Sequence, residues 1–142
     1  MVRKCTNCRV VLANRYKIKF CSNACQHAYQ QDIFIRDWQQ GKIQGNVGIS
    51  SRVISGHIRR YLLLKYGSKC SLCGWNKIHP TTKRIPLEID HIDGNAENNS
   101  ENNLRLLCPN CHSLTPHFRN LNRGKGRSWR MEKYIKNNPD FG

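Results

Sequence analysis

Carboxylates are scarce in this chain. Of its 142 residues only 9 are Asp or Glu, against 24 Lys and Arg, for a formal net charge of +15. An enzyme working on small neutral metabolites has no need of such an excess, which points instead to a polyanionic partner. Long apolar runs are also missing. No stretch approaches the ~18 apolar residues of a membrane span, and Met-Val-Arg-Lys-Cys5 leads into no apolar segment of the secretory kind. These absences predict a cytoplasmic chain with no membrane partner. A chain of this length buries only about two-thirds of its unfolded surface, so its cores need staples. Cysteine is what the sequence has in plenty, with 8 in paired spacings. In a reducing compartment such pairs are metal ligands more often than disulfides.

The positive charge is unevenly placed. Residues 1–50 carry a net +6, residues 51–69 a net +5 and residues 119–142 a net +5, whereas residues 70–118 carry −1. Basic flanks around a slightly acidic centre fit a chain whose ends grip a polyanion while the centre keeps its carboxylates for another task.

Periodicity and breakers divide the chain into a four-cysteine module over 1–40, a glycine-rich linker over 41–50, a central domain over 51–123 and a basic arm over 124–142. Ser22 is placed to cap a helix ending near Gly41. Ser50 or Ser51 would open a second helix, running to Gly67, whose polar face offers Arg59 and Arg60 to phosphates. The period-two run Leu87–Ile92 predicts a strand, Leu104–Leu107 a returning strand, and Pro109 the start of a helix reaching about Arg119. Beyond Leu121 a basic arm is expected, with a helical turn around Trp129–Ile135. Arg119, Arg123, Lys125 and Arg127 would hold phosphates there. The fold class is therefore small, α+β and metal-stapled.

The cysteines fall into two sets. Cys5-x-x-Cys8 is followed by Cys21-x-x-x-Cys25, and Cys70-x-x-Cys73 by Cys108-x-x-Cys111. Each set supplies four thiolates, enough for a closed structural Zn²⁺ site with no position left for catalysis. Two zinc ions are thus expected, and their binding counts as folding free energy. His27 and His79 lie near the sets but are superfluous as ligands. Tyr16 and Phe20, among Arg15, Lys17 and Lys19, are expected to form a minimal core for the first module or to support its grip on a polyanion.

Chemistry must come from elsewhere, and polar residues cluster between the cysteines of the second set: Asp90, His91, Asn102, Asn103 and His112. Asp90 and His91 are neighbours on a strand, so their side chains point to opposite faces and cannot share one task. If Asp90 faces the following helix, it joins His112 at a divalent ion while His91 addresses substrate. The sequence leaves open which residue faces which way.

The assembled run, Cys70-x-x-Cys73, Leu87-Glu-Ile-Asp90-His91-Ile92, Asn103-Leu104-x-x-Leu107-Cys108-x-x-Cys111-His112, resembles the HNH endonuclease motif, the zinc-stabilised ββα-metal (His-Me finger) type. Ile58-Arg59-Arg60-Tyr61-Leu62 before it and Ser113-Leu-Thr115-Pro116 after it resemble phage and free-standing homing endonucleases, and the resemblance covers about residues 51–123. It implies a ββα-metal nuclease core hydrolysing phosphodiester bonds of double-stranded DNA, in a bacterial or phage-infected cell. His91 would be the general base, and Asn103 the residue that fixes the loop and orients that base. Asp90 and His112 would be ligands of Mg²⁺ or another divalent ion. Arg105 would reach the scissile phosphate. His117, after Pro116, departs from many such sequences and is a candidate phosphate contact. Two other readings are carried alongside: a non-catalytic zinc protein that binds nucleic acid, which would leave Asp90, His91, Asn103 and His112 together unexplained, and a nuclease directed at RNA.

Overall fold

Short loops between paired cysteines set the local structure around both cysteine sets. The computed structural model describes residues 2–47 and 53–122, and the chain divides between Ile43 and Gln44 into two units. In the first unit Cys5 N–H donates to Val10 O at 2.8 Å and Arg9 N–H to Cys5 O at 2.9 Å. In the second, Cys70 N–H donates to Trp75 O and Gly74 N–H to Cys70 O, both at 2.9 Å. The same turn is built twice, and in each copy the residue after the second cysteine has positive φ: Arg9 at 64° and Gly74 at 74°. Glycine enters that region freely, whereas arginine does so at a cost of about 1–2 kcal/mol.

The first unit continues with a bridge between Lys4 and Val11 and then helix α1, Asn23–Gln39. As expected, Ser22 caps it, accepting from Cys25 N–H at 3.2 Å. Leu12, Ile35 and Trp38 are its buried apolar residues. Phe20 pairs with Tyr29, ring centroids 5.4 Å apart. Tyr16 takes no part in a core: it is exposed, its hydroxyl accepting from Arg15 at 2.7 Å.

The second unit departs from expectation at its start. Helix α2 spans Gly56–Lys65 and is capped by Ser55, not by Ser50 or Ser51, which lie outside the described residues. Val53 and Ile54 are paired rather than helical, because Val47 N–H donates to Val53 O and Ser55 N–H to Gly45 O. Gly45–Val47, within the stretch expected as linker, is thus hydrogen-bonded structure; β-branched Val53 and Ile54 suit such pairing better than a helix start.

Strands β1, Glu88–His91, and β2, Leu104–Leu107, form an antiparallel pair with Asp90 opposite Arg105 and His91 opposite Leu104. Ile58 and Leu62 of α2, which packs on β2, are fully buried, as are Leu104, Leu106 and Leu107. Arg59 Nη2 donates to Leu87 O at 2.6 Å, tying α2 to the start of β1. Lys65 Nζ meets Glu101 Oε1 at 2.8 Å, and Tyr61 donates to the same oxygen. Both contacts anchor the 3₁₀ turn Glu101–Asn103 that leads into β2. The hydrogen bond to Glu101 raises the Lys65 pKa.

Helix α3 is Pro109–Ser113, only five residues, and not the longer helix expected to Arg119. Pro116 explains the early stop, since it disfavours helical backbone at Thr115 and supplies no N–H of its own. The chain leaves through bonds from Leu114 N–H to Cys111 O and Thr115 N–H to His112 O, and a 3₁₀ turn follows at Arg119–Asn122. The result is a small α+β fold with a two-stranded sheet. Among the described residues no helix is long and apolar enough to cross a membrane.

Gly94, just after β1, is closely packed. Its φ is 73°, and a Cβ there would lie 2.4 Å from His117 Cγ and 2.9 Å from Asn122 Oδ1. Gly94→Ala should therefore destabilise the second unit by about 1–3 kcal/mol, read as an earlier denaturant midpoint; an unchanged midpoint would show that the ring of His117 can move aside.

Candidate functional site

Both cysteine sets close into clusters whose four sulfurs lie within 4.8 Å of one another, so each can hold a metal ion. Sulfurs each about 2.3 Å from one tetrahedral ion stand about 3.8 Å apart. The observed separations approach that value, with Cys8–Cys21 at 3.5 Å, Cys21–Cys25 at 3.4 Å and Cys73–Cys108 at 3.7 Å. The charge chemistry agrees. Burial works to raise the Cys5 thiol, yet the amides of Cys8, Cys21 and Asn7 outweigh it and hold the pKa at about 6. Cys70 is likewise held at about 6 against burial by the amides of Cys108, Cys73 and Leu72. Cys21 is pushed to about 12, first by its contact with Cys25, and Cys111 to about 12, first by its contact with Cys73. Each cluster thus welcomes one thiolate and resists another, a conflict that a central cation removes. His79 belongs to neither cluster; its Nδ1 accepts from Thr81 and Thr82 N–H.

The second cluster sits where β2 passes into α3. Cys108 caps α3 through its sulfur, accepting from Cys111 N–H at 3.5 Å. Ser71 N–H donates to Leu106 O at 2.8 Å, which fastens the first cysteine loop to β2. His112 follows Cys111 directly and is thereby aimed at β1.

There the alternatives left open by the sequence resolve. Asp90, buried on the α3 face, has Oδ1 3.8 Å from His112 Nε2. His112 Nδ1 donates to Glu88 Oε2 at 2.5 Å. Glu88 and Asp90, two apart on β1, share one face. Glu88 thus fixes the imidazole so that the Nε2 lone pair faces Asp90, the arrangement by which a carboxylate orients a metal-binding histidine. Bonds of about 2.1 Å from one ion span about 3.0 Å at right angles and about 4.2 Å in line, so 3.8 Å fits a shared ion. Arg105 Nε donates to Asp90 Oδ2 at 2.8 Å. Its charge is therefore committed to this carboxylate across the strand pair, before any phosphate contact is considered.

His91 lies on the other face. Its Nε2 is 2.8 Å from Asn99 Oδ1. Asn103 is buried and organises the loop: its Nδ2 donates to Asp93 Oδ1 and to Asn98 O, both at 2.8 Å, and its Oδ1 accepts from Asp93 N–H at 3.0 Å. The ring of His91 is met by Asn99 rather than by Asn103. Burial opposes ionisation of Asp93, but donors from Asn98, Asn95 and Asn103, together with nearby His91, hold its pKa below the usual carboxylate range.

Of the expected phosphate contacts, Arg60 is exposed on α2, Arg119 is exposed with its guanidinium 5.0 Å from the centre of the Phe118 ring, and Arg59 is engaged with Leu87 O. Arg123, Lys125 and Arg127 lie outside the described residues. Sequence reasoning missed Glu88, Asn99 and Asp93. For Glu88 the signal was present, an acidic residue two before Asp90 and so on its face.

Residues 70–115, about a third of the chain, match the family model of the HNH endonucleases. Over 57 residues the chain is 51% identical to the H-N-H endonuclease F-TflIV of Escherichia phage T5. That stretch is 40% of this chain and 24% of the relative, so the match spans about a quarter of the phage protein. No solved structure matches the chain.

Metal content tests the clusters. The chain should carry two equivalents of Zn²⁺ by elemental analysis, and Cys108→Ser should lower the content to one and unfold the second unit. Because the cation depresses the thiol pKa values, its stabilisation is complete at neutral pH and lost as pH falls. Acid titration should release the metal as the thiols gain protons; retention of both ions at a pH well below about 5 would contradict the assignment.

Proposed function

We propose that the chain is a metal-dependent DNA endonuclease with a ββα-metal core formed by β1, β2 and α3. The observation that carries this reading is the placement of Asp90 against His112, with Glu88 behind the imidazole, inside the HNH-matching residues. The phage relative named as an H-N-H endonuclease supports the same reading and a host-cell cytoplasmic setting.

A Mg²⁺ or similar ion on Asp90 and His112 would offset charge on the phosphate and the departing oxygen. The protein's own part is divided between the faces of the hairpin. His91 removes a proton from water, the water oxygen attacks phosphorus in line, and the P–O3′ bond breaks with its electron pair on O3′, which takes a proton from solvent to leave 5′-phosphate and 3′-hydroxyl ends. Glu88 and Arg105 keep His112 and Asp90 oriented, while Asn103 and Asp93 hold the loop that carries His91. The basic flanks, Arg60 and Arg119 among them, supply duplex affinity without base reading. The two four-cysteine sites hold Zn²⁺ structurally, and the N-terminal module extends the gripping surface.

Cleavage of a supercoiled plasmid with Mg²⁺ tests the reading. His91→Ala should lower cleavage about 10²–10⁴-fold with binding nearly intact. Glu88→Gln should weaken the catalytic ion about 10–100-fold, seen as a higher metal concentration for half-maximal rate. Intact supercoils across several metals, with wild type and His91→Ala alike, would make this a non-catalytic nucleic-acid-binding protein; cleavage confined to RNA would reassign the substrate.

A further inference from the structure

The contact at His91 is one link of a chain of amides. Asn99 is buried, with Oδ1 2.8 Å from His91 Nε2 and Nδ2 donating to Asn46 Oδ1 at 2.7 Å. Asn46 is itself fixed by backbone pairing, bridged to Ile54 ahead of α2. It therefore lies outside the residues matched by the family model, yet within the same unit as the hairpin.

The polarity of the chain has a chemical consequence. A primary amide carries its acceptor and its donors on opposite arms. With the donor arm of Asn99 given to Asn46, only the acceptor arm faces His91. A carbonyl oxygen can satisfy Nε2 only when that nitrogen carries hydrogen. Neutral imidazole has one N–H, so the lone pair must be on Nδ1. Among the described residues Nδ1 has no hydrogen-bond partner.

We propose that Asn99, braced by Asn46, is a positioning residue that locks His91 as the Nε2–H tautomer and leaves Nδ1 as the nitrogen that takes the proton from water. This rests on the reading of His91 as general base. When the O–H bond of water breaks, its electron pair stays on oxygen and the proton forms a new N–H at Nδ1. The imidazolium so formed keeps its Nε2–H on Asn99 Oδ1, so no ring movement accompanies the transfer.

Long-range ¹⁵N–¹H correlation of the histidine side chains in the full, zinc-loaded chain tests the tautomer, with His91 assigned by the signals lost in His91→Ala. The expected spectrum shows His91 with hydrogen on Nε2. Hydrogen on Nδ1, or the mixture of a free imidazole, would overturn the proposal. Asn99→Ala should abolish the tautomer preference and lower kcat by about ten- to hundredfold with KM for DNA little changed. Asn46→Ala should act in the same direction more weakly, and the double variant should match Asn99→Ala alone, as for residues in one chain of contacts. If Asn99→Ala fails to fold, Asn99→Asp retains an acceptor for Nε2 and should retain the tautomer. The two readings fail separately. Cleavage that survives His91→Ala defeats the general base and leaves the spectrum to decide the tautomer lock. A locked tautomer with full kcat in a folded Asn99→Ala defeats the positioning role alone.

Discussion

Four thiolates cannot share one small volume without a cation among them, and the second unit is arranged around that constraint. Its sulfurs come from the loop before β1 and from the joint between β2 and α3. A five-residue helix is too short to hold itself, since nucleation alone costs more than so few hydrogen bonds return. What fixes α3 is the cluster: Cys108 as its cap and Cys111 one turn on. His112 inherits its position from that closure, so the cluster sets where the imidazole meets Asp90.

The hairpin then separates tasks by the simplest rule of a strand. Alternation sends Glu88 and Asp90 to α3 and His91 to the opposite face. Negative charge accumulates on the first face, balanced by Arg105 directly opposite Asp90. On the second face the recorded hydrogen-bond partner of the His91 ring is one neutral amide, Asn99, with Asp93 in the nearby loop held by its own donors. A carboxylate in contact with the imidazole would favour its protonated form and so spoil a base at neutral pH. The amide of Asn99 orients the ring through a neutral acceptor.

Much of this was legible in the sequence, because the signals are local. Cysteine spacing announces the clusters, Ser22 the start of α1, and period-two alternation the strands. The readings that failed depended on partners far along the chain or on a breaker given too little weight. Ser51 looks as good a cap as Ser55 until Val47 takes Val53 into a backbone pair. Pro116 ends α3 through the backbone it imposes on Thr115, a breaker that outweighs the expectation of a helix reaching Arg119. Asn99 is one of five asparagines between 95 and 103, and composition cannot separate the one beneath a histidine from those that merely turn the loop. Glu88 was legible in principle, but an acidic residue on a half-exposed strand reads as solvation until an imidazole is found at its end.

The uneven charge follows from the same geometry. A site that must gather a divalent ion needs carboxylates, and carboxylates repel the phosphate that the ion is to meet. Placing Glu88 and Asp90 in the central segment, with Arg105 to neutralise one of them, keeps the local field close to neutral before metal binds. The excess positive charge that would attract a polyanion lies in the flanks, separated from the centre along the chain. On the proposed function, capture and chemistry would draw on different residues, and a charge lost from a flank would weaken binding while the geometry between Asp90 and His112 stands.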